Sequence, residues 1–134
     1  MKIRNTKELL PVMILNDEIF PDDPLDIDSR TRAWLVYDDD RIVGFATLRH
    51  LDSGEAYFDR CGILPEYRHR GLHRRLIQVR ERYAKRFDLS HIITYVVEGN
   101  WNSLGSLVRN SYHIYSPAYE WVGCQQVIYL RKAL

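Results

Sequence analysis

The segment between Ala56 and Val97 constrains the fold of this chain more than any other, because it reads as strand, turn, helix and strand in that order. Ala56 to Ile63 is bounded by turn residues and is rich in strand-forming side chains. Gly71 to Phe87 is predicted to be an amphipathic helix, because apolar side chains recur in it at helical spacing. His91 to Val97 is a nearly continuous apolar run, which is typical of a strand covered on both faces. Two strands joined through a helix predict a right-handed parallel crossover within one sheet.

A short basic turn joins the first of these strands to the helix. It contains Pro65, three basic residues and Gly71. A turn that leads directly into a helix leaves several backbone N–H groups unpaired, and the helix dipole adds partial positive charge at the same place. Arg68 and Arg70 add full charges. The turn is therefore predicted to bind an anion, and phosphate is the usual one.

The residues of this turn also form a motif, which reads Ile63-Leu64-Pro65-Glu66-Tyr67-Arg68-His69-Arg70-Gly71-Leu72. It resembles the signature of the GNAT superfamily of N-acetyltransferases, Val/Ile-x-Pro-x-Tyr-Arg-x-Arg-Gly-x-Gly/Ala followed by a leucine-rich helix. One position departs from that signature, since His73 stands where the family has glycine or alanine. The resemblance implies an N-acetyltransferase that uses acetyl-CoA.

The rest of the chain fits the fold that this resemblance implies. That fold is of the α/β (α+β) class, a GNAT-like mixed sheet in which an antiparallel meander precedes a parallel crossover with splayed central strands, flanked by helices. We expect it to form one domain over residues 1–134. The further predicted elements are an edge strand over Met1–Arg4, a helix starting with Thr6 as its N-cap, strands over Ala33–Tyr37 and Ile42–Arg49, a helix over Asn100–Asn110, and final strands over Tyr112–Tyr115 and Val122–Leu130.

Three details of these elements are also predicted. Pro11 limits the first helix, because proline is tolerated only in a first turn. Asn100 is a suitable N-cap for the later helix. The apolar side chains expected to face inward from that helix are Trp101, Leu104, Leu107 and Val108.

Composition limits the classes of function. The chain has 134 residues with 46% hydrophobic and 28% charged residues, as in an ordinary globular domain. Its net charge of +1 provides no overall field that would attract nucleic acid or an acidic membrane. Cys61 and Cys124 have no spacing typical of a metal site. The start of the chain lacks the pattern of a signal peptide, and no segment is suited to span a bilayer, so we expect a cytoplasmic protein.

By resemblance, acetyl-CoA lies between the splayed strands that end at Ile63 and Val97. The pantetheine arm would pair with free backbone groups of the first strand, and the pyrophosphate with N–H groups of the basic turn. Gly71 allows close approach of the backbone and an unusual conformation. The residues implied to bind the cofactor are Cys61, Ile63, Leu64, Arg68, His69, Arg70, Gly71, Leu72, His73, Arg74, Asn100 and Ser103.

The chemistry implied is direct attack of an amine on the thioester, which requires a base or a water chain to take the proton of the ammonium. Some family members carry a carboxylate at the position of Tyr57. Asp59 lies two residues further on and is expected to point to the same face, and Glu98 is the alternative base.

The general acid is a separate matter. The family tyrosine that often protonates the CoA thiolate is replaced by Leu107. Tyr112 and Tyr115 are therefore the candidate acids, although a packed aromatic residue is the more usual role for a tyrosine in a chain with nine of them.

The sequence does not identify the acceptor amine, which can be a small molecule or a peptide. Six acids between Asp17 and Asp28 can form an acidic rim that attracts a cationic acceptor, or simply a solvated loop. A homodimer is also compatible with the sequence.

Two other functions compete with catalysis. The first is a degenerate member of the same fold that binds acetyl-CoA, or nothing, and acts as a regulatory partner; His73, Leu107 and Tyr57 favour it. The second is a nucleic-acid-binding module, because the segment from Arg68 to Arg86 holds eight of the 19 Lys and Arg residues. The near-neutral charge of the chain and the lack of a nucleic-acid-binding motif speak against the second.

Overall fold

A computed structural model describes residues 1–123 and 126–134. The described residues form one seven-stranded sheet with three α-helices and a short 3₁₀ turn. In chain order the elements are β1 (Lys2–Thr6), α1 (Leu10–Ile19), β2 (Thr31–Asp38), β3 (Arg41–His50), β4 (Ala56–Ile63), the 3₁₀ turn (Pro65–Tyr67), α2 (Leu72–Arg86), β5 (His91–Val97), α3 (Trp101–Arg109), β6 (His113–Ile114) and β7 (Val127–Ala133). Within these residues, no helix has the length and apolar character needed to cross a bilayer.

The sheet has the predicted mixed topology, with strand order β1-β2-β3-β4-β5-β7-β6. Strands β1 to β4 form the antiparallel meander. β4 and β5 are the predicted parallel pair, and over the described residues their register covers Ala56 with Ile92 and Tyr57 with Ile93. Beyond these pairs the hydroxyl of Thr94 donates to the carbonyl of Phe58 at 3.0 Å. A side chain thus takes the place of the next ladder bond where the two strands diverge.

A β-bulge lies in the middle of β4. The register between β3 and β4 shifts where one residue of β3, Thr47, faces two residues of β4, Asp59 and Arg60. The hydroxyl of Thr47 accepts a hydrogen bond from the backbone N–H of Arg60 at 3.1 Å and so holds the extra residue in place. A bulge changes which side chains face each side of a sheet.

The long helix packs on the sheet as its spacing predicts. Leu72, Leu76, Ile77 and Ala84 are buried. The helix also buries Arg80, which the apolar pattern does not reveal.

The start of the first helix differs from the prediction. Thr6 is not its N-cap; it lies at the end of β1, and its hydroxyl accepts from the N–H of Glu8 within a turn. The helix begins at Leu10, and Pro11 occupies the first turn, where its missing N–H has no consequence. It continues to Ile19, so the irregular acidic segment is shorter than expected.

The predictions for the last third of the chain are partly wrong. Asn100 caps α3 as expected, its side chain accepting from the N–H of Ser103 at 3.4 Å. Leu107 is buried, but Trp101 and Val108 are 64% and 49% exposed, because α3 covers the edge of a cavity rather than a closed core. β7 begins only at Val127. Positions 124 and 125 of the predicted strand lie outside the described residues.

Candidate functional site

A cavity of about 990 Å³ opens where β4 ends and α2 begins, with α3 as its opposite wall. The predicted cofactor residues that it brings together are Cys61, Ile63, Arg68, His69, Gly71, Leu72, His73, Arg74, Asn100 and Ser103. The side chains come from four separate elements. The crossover places these elements at one edge of the sheet, beside the diverging strands.

The basic turn at the floor of this cavity has an unusual backbone. His69 and Gly71 both have positive φ, at 63° and 77°. Residues other than glycine rarely adopt a positive φ, which is why glycine suits the position directly before α2. The turn delivers the free N–H groups of the first helical turn to the cavity, together with the positive end of the helix dipole.

The arginines of the turn hold its shape. The Nε of Arg68 donates to the carbonyl of Ile63 at 3.0 Å. Arg70 donates to the carbonyl of Glu66 at 3.1 Å and lies over the ring of Tyr67. The Tyr67 hydroxyl donates to Asp38 at 2.6 Å, so the turn is fastened to the meander.

Two predicted cofactor residues do not line the cavity. Leu64 is buried in the core, and its N–H is already bonded to the carbonyl of Val43 at 2.9 Å. Arg70 is bonded to Glu66 and lies over Tyr67 within its own turn. For Leu64, a contact with the meander decides the direction, and local sequence does not reveal such a contact.

His73 links the two helices across the cavity wall. Its Nδ1 lies 2.9 Å from the hydroxyl of Ser106 on α3. Burial lowers the pKa of His73 to about 4, and the charge of Arg80 acts in the same direction. The imidazole is therefore neutral near pH 7 and forms a neutral contact between α2 and α3.

The cavity also contains residues that the sequence prediction missed. They are Phe20, Gly62, Tyr67, Asn102, Ser106, Arg109 and Asn110. Ser103, Ser106 and Asn110 follow helical spacing, so a polar stripe on the predicted helix was an available signal. Phe20 is brought in by α1 from a distant part of the sequence and had no such signal.

The four predicted catalytic residues are not brought together. Asp59 is 16% exposed, and its carboxylate lies 3.7 Å from the guanidinium of Arg49. Burial raises the pKa of Asp59, while the charge of Arg49 works against that shift. Glu98 is exposed just beyond β5. Neither carboxylate lines the cavity, and Cys61, which does, lies on the opposite face of β4 from Asp59.

Neither candidate general acid reaches the cavity. Tyr112 is 2% exposed, and its hydroxyl donates to Glu81 at 2.9 Å within the core. Tyr115 packs against the ring of Tyr129 and lies beneath Arg131. Burial raises the pKa of both phenols, which makes their protons harder to release. Both tyrosines pack against neighbouring side chains, and neither lines the cavity.

Aromatic side chains lie beside Asp59, on the side of the sheet that faces away from α2. The rings of Tyr57 and Tyr95 are nearly parallel with centroids 6.4 Å apart, and Trp121 meets each of them edge-on. Burial raises the pKa of Tyr57, and the neighbouring Asp59 carboxylate raises it further. The phenol at the family's carboxylate position therefore remains protonated and cannot act as the base.

The acidic segment is partly neutralised by arginines from the sheet. Asp23 forms a 2.7 Å salt bridge with Arg60 on β4. Asp28 lies near Arg30 and Arg49. These two acids anchor the segment to the sheet.

The comparisons with solved structures agree with this architecture. The ribosomal-protein-S18-alanine N-acetyltransferase from Escherichia coli superposes with a TM-score of 0.79 at 12% identity, covering 98% of this chain and 94% of that one. An IAA acetyltransferase from Bacillus cereus has a TM-score of 0.76 at 11% identity, covering 99% and 100%. A Bacillus subtilis acetyltransferase in complex with CoA has a TM-score of 0.71 at 15% identity, covering 99% and 98%. At these identities the likeness concerns the fold.

The comparison of sequences is more specific. No curated protein sequence matches the chain. The model of the Acetyltransferase (GNAT) family matches residues 5–106, which include the basic turn and the start of α3. The chain therefore belongs to the GNAT family of acetyltransferases.

Proposed function

We propose that this protein transfers an acetyl group from acetyl-CoA to a primary amine by direct attack of the amine. The observation that carries the proposal is the cavity of about 990 Å³, in which a helix N-terminus and the end of a splayed strand meet. Its size is at the upper end of the roughly 300–1,000 Å³ usual for cofactor and ligand sites. An elongated molecule with a phosphate-rich part and an amide-rich arm needs both features.

The residues of the cavity fit acetyl-CoA. The pyrophosphate would bind the N–H groups between Arg68 and Arg74, where two left-handed residues shape a concave turn. The pantetheine arm would pair with the backbone of Cys61 and Ile63, past the residues of β4 that bond to β5. The polar stripe of α3 would line the other side. Acetyl-CoA supplies an acetyl thioester that is reactive toward an amine.

Asp59 is proposed as the base that takes the proton from the amine, directly or through water. It lies on β4 two residues before Cys61, on the side of the strand opposite the cavity. Its raised pKa supports the role, because a base works best when its pKa approaches the working pH. Glu98, exposed at the end of β5, is the alternative base.

The acceptor is proposed to be a cation, either a small polyamine or a basic peptide side chain. Acids of the segment between α1 and β2 lie next to the face of β4 that carries Asp59, and several are exposed. Negative charge at a binding site raises the local concentration of a cation.

The second candidate function is binding of acetyl-CoA without turnover. Three observations favour it: His73 places an imidazole in the cavity wall where the family has glycine or alanine, Leu107 provides no hydroxyl, and Tyr57 replaces a carboxylate. The release of free CoA from acetyl-CoA, measured against a library of amines, separates the two functions. Transfer predicts CoA release with at least one amine and an acetylated product of matching mass.

The cofactor site is tested separately by the substitution Gly71→Val. The left-handed φ of 77° strains any β-branched residue by about 1–3 kcal/mol, and we expect weaker CoA binding because the turn must change shape. Gly54→Val is a matched control. Gly54 has φ 83°, equally open space around its missing Cβ, and a position in the turn between β3 and β4.

Both variants should lose similar free energy of unfolding, while only Gly71→Val lowers the affinity for CoA in calorimetry. Equal CoA affinity in the two variants would show that the cofactor does not bind at this turn.

A further inference from the structure

Arg80 is a buried cation that neither the family motif nor the proposed reaction has yet used. It lies on the inner face of α2 and is 2% exposed. Among the described residues it forms no salt bridge with a carboxylate. Arginine is almost never fully buried unless it is paired, because removing its charge from water is costly. The burial of Arg80 at this cost needs a physical explanation.

The contacts of Arg80 place it directly behind the bulge of β4. Its Nη1 donates to the carbonyl of Thr47 at 3.1 Å, and its Nε donates to the carbonyl of Leu76 in its own helix at 3.1 Å. The guanidinium carbon lies 3.8 Å from the centre of the Phe58 ring. Thr47 is also the residue whose hydroxyl binds the N–H of Arg60. Thr47 is thus bonded to Arg80 through its carbonyl and to Arg60 of β4 through its hydroxyl. These two hydrogen bonds together fix the bulge.

The bulge decides which side chains β4 presents to the cavity. Arg60 points toward α1, where its Nη1 donates to the side chain of Asn16 at 2.9 Å. The next residue, Cys61, lines the cavity on the other side. A shift of Thr47 would therefore move the strand end where the pantetheine arm is proposed to bind.

The charge of Arg80 shifts the pKa of two residues that line the cavity. Burial raises the pKa of the Cys61 thiol, and the charge of Arg80 works against that shift. Burial lowers the pKa of His73, and the same charge lowers it further. The charge of Arg80 therefore favours the thiolate of Cys61 and disfavours the imidazolium of His73. Arg80, which lies behind Thr47 and Phe58, thus adds positive potential at the thiol and the imidazole of the inner cavity wall.

A positive potential matters here because Leu107 cannot donate a proton to the leaving sulfur. This residue stands where the family often has a tyrosine, and it is buried and has no proton to donate. Tyr112, the next tyrosine along the chain, is bonded to Glu81. Neither candidate acid therefore reaches the leaving sulfur, and its negative charge needs another source of stabilisation.

We propose that Arg80 is a positioning residue for acetyl transfer, which fixes the bulge of β4 and keeps the inner cavity wall positive for the departing thiolate. The inference rests on the proposed function. In the step concerned, the amine nitrogen bonds to the acetyl carbon, the carbon–sulfur bond breaks, and its electron pair stays on sulfur. The proton of the amine passes to the base or to water.

Three substitutions separate charge from packing. Arg80→Met removes the charge and keeps an unbranched side chain of similar length. Arg80→Lys keeps the charge, and Arg82→Met makes the same change as the first at an exposed position of the same helix. We expect Arg80→Met to lower kcat at least about tenfold, since one electrostatic contact in an active site commonly contributes that much or more. A rise in the Kd for CoA in the same variant would report displacement of the bulge. Arg80→Lys should recover part of kcat, and Arg82→Met should match the wild type.

A second measurement reads the potential without turnover. In a Cys124→Ser background Cys61 is the only thiol, because the chain has two cysteines. Its pKa, followed by ultraviolet absorbance of the thiolate, should rise in Arg80→Met and return toward the starting value in Arg80→Lys. The other titratable groups within electrostatic reach of Arg80 are Asp59 on β4, His73 and Glu81 on α2, and Tyr112 after α3. All of them are retained in these variants.

The outcomes are distinct. A folded Arg80→Met variant with unchanged kcat and unchanged Cys61 pKa overturns the inference. If that variant does not fold, Arg80→Gln takes its place, because its amide can still donate to the carbonyl of Thr47 without carrying charge. If the wild type acetylates no amine, the proposed function fails, whereas the Cys61 titration still decides whether Arg80 makes the cavity wall positive.

Discussion

At the scale of single residues, the energetics of Asp59 bear most directly on the proposed chemistry. Its carboxylate is largely buried, and the raised pKa means that ionisation is harder in the folded protein than in the unfolded chain. For an acid shifted in this direction, the stabilising contribution is present below the unfolded pKa and is lost as pH rises through the folded pKa. At neutral pH the ionised form is therefore retained at some cost to folding, which is common for a residue kept for function.

We predict that Asp59→Asn lowers kcat/KM about 10²–10⁴-fold, the usual contribution of a general base. In the wild type, kcat/KM should fall as pH is lowered through the pKa of Asp59, which lies above the ordinary value of 3.8. The variant should lack this acid limb and should have an equal or higher free energy of unfolding at pH 7. A pH–rate profile together with urea unfolding at pH 7 checks both parts. An unchanged rate with an unchanged acid limb would exclude Asp59 and leave Glu98 as the candidate base.

At the scale of elements, the acidic segment between α1 and β2 divides into two groups of acids. Asp23 and Asp28 are engaged with arginines of the sheet, so they hold the segment in place. Asp22 and Asp26 are exposed and form no salt bridge with any residue that the structure describes. A test of the acidic rim must leave Asp23 and Asp28 unchanged, because their substitution would disturb the structure as well as the charge.

We predict that Asp22→Asn combined with Asp26→Asn raises KM for a cationic amine several-fold at low salt, with kcat maintained. The effect should disappear as salt screens the charges, since the Debye length falls to about 10 Å at 0.1 M. Glu8→Gln combined with Asp88→Asn is the control, because it removes the same charge from exposed positions outside the segment. Equal KM values for the two double variants would show that the segment is only a solvated loop.

At the scale of the whole molecule, the final strand completes the core that the cavity needs. β7 pairs with all seven residues of β5, from His91 with Ala133 to Val97 with Val127. β5 is one of the two diverging strands, and it would otherwise be an open edge. The residues that follow the matched family region are therefore part of the same folded unit.

We predict that Leu130→Ala lowers the free energy of unfolding by about 2–5 kcal/mol, the usual loss for a fully buried leucine. Unfolding should remain a single transition when followed by both tryptophan fluorescence and circular dichroism. Arg131→Ala, at the next and exposed position of β7, should change stability by less than about 1 kcal/mol. Two separate transitions in the Leu130→Ala protein would contradict the expectation of one domain.

The sequence by itself determined the elements and the topology, because both depend on local periodicity and on short connections. The spacing in α2, the apolar run of β5 and the basic turn between strand and helix are readable within a few residues of each position. Ten of the twelve predicted cofactor residues line one cavity for the same reason, since they belong to segments whose ends the crossover brings together.

Only the tertiary structure decided the directions and environments of individual side chains. A bulge in β4, which depends on its pairing with Thr47 of β3, places Asp59 and Cys61 on opposite sides of the sheet although they are two residues apart. Leu64 and Tyr112 do not line the cavity, because each is bonded to a residue more than twenty positions away in the chain. Arg80 is buried because that bulge provides a carbonyl and an aromatic face for its charge. Such contacts join strands and helices that are distant in sequence, so no local pattern of residue types specifies them.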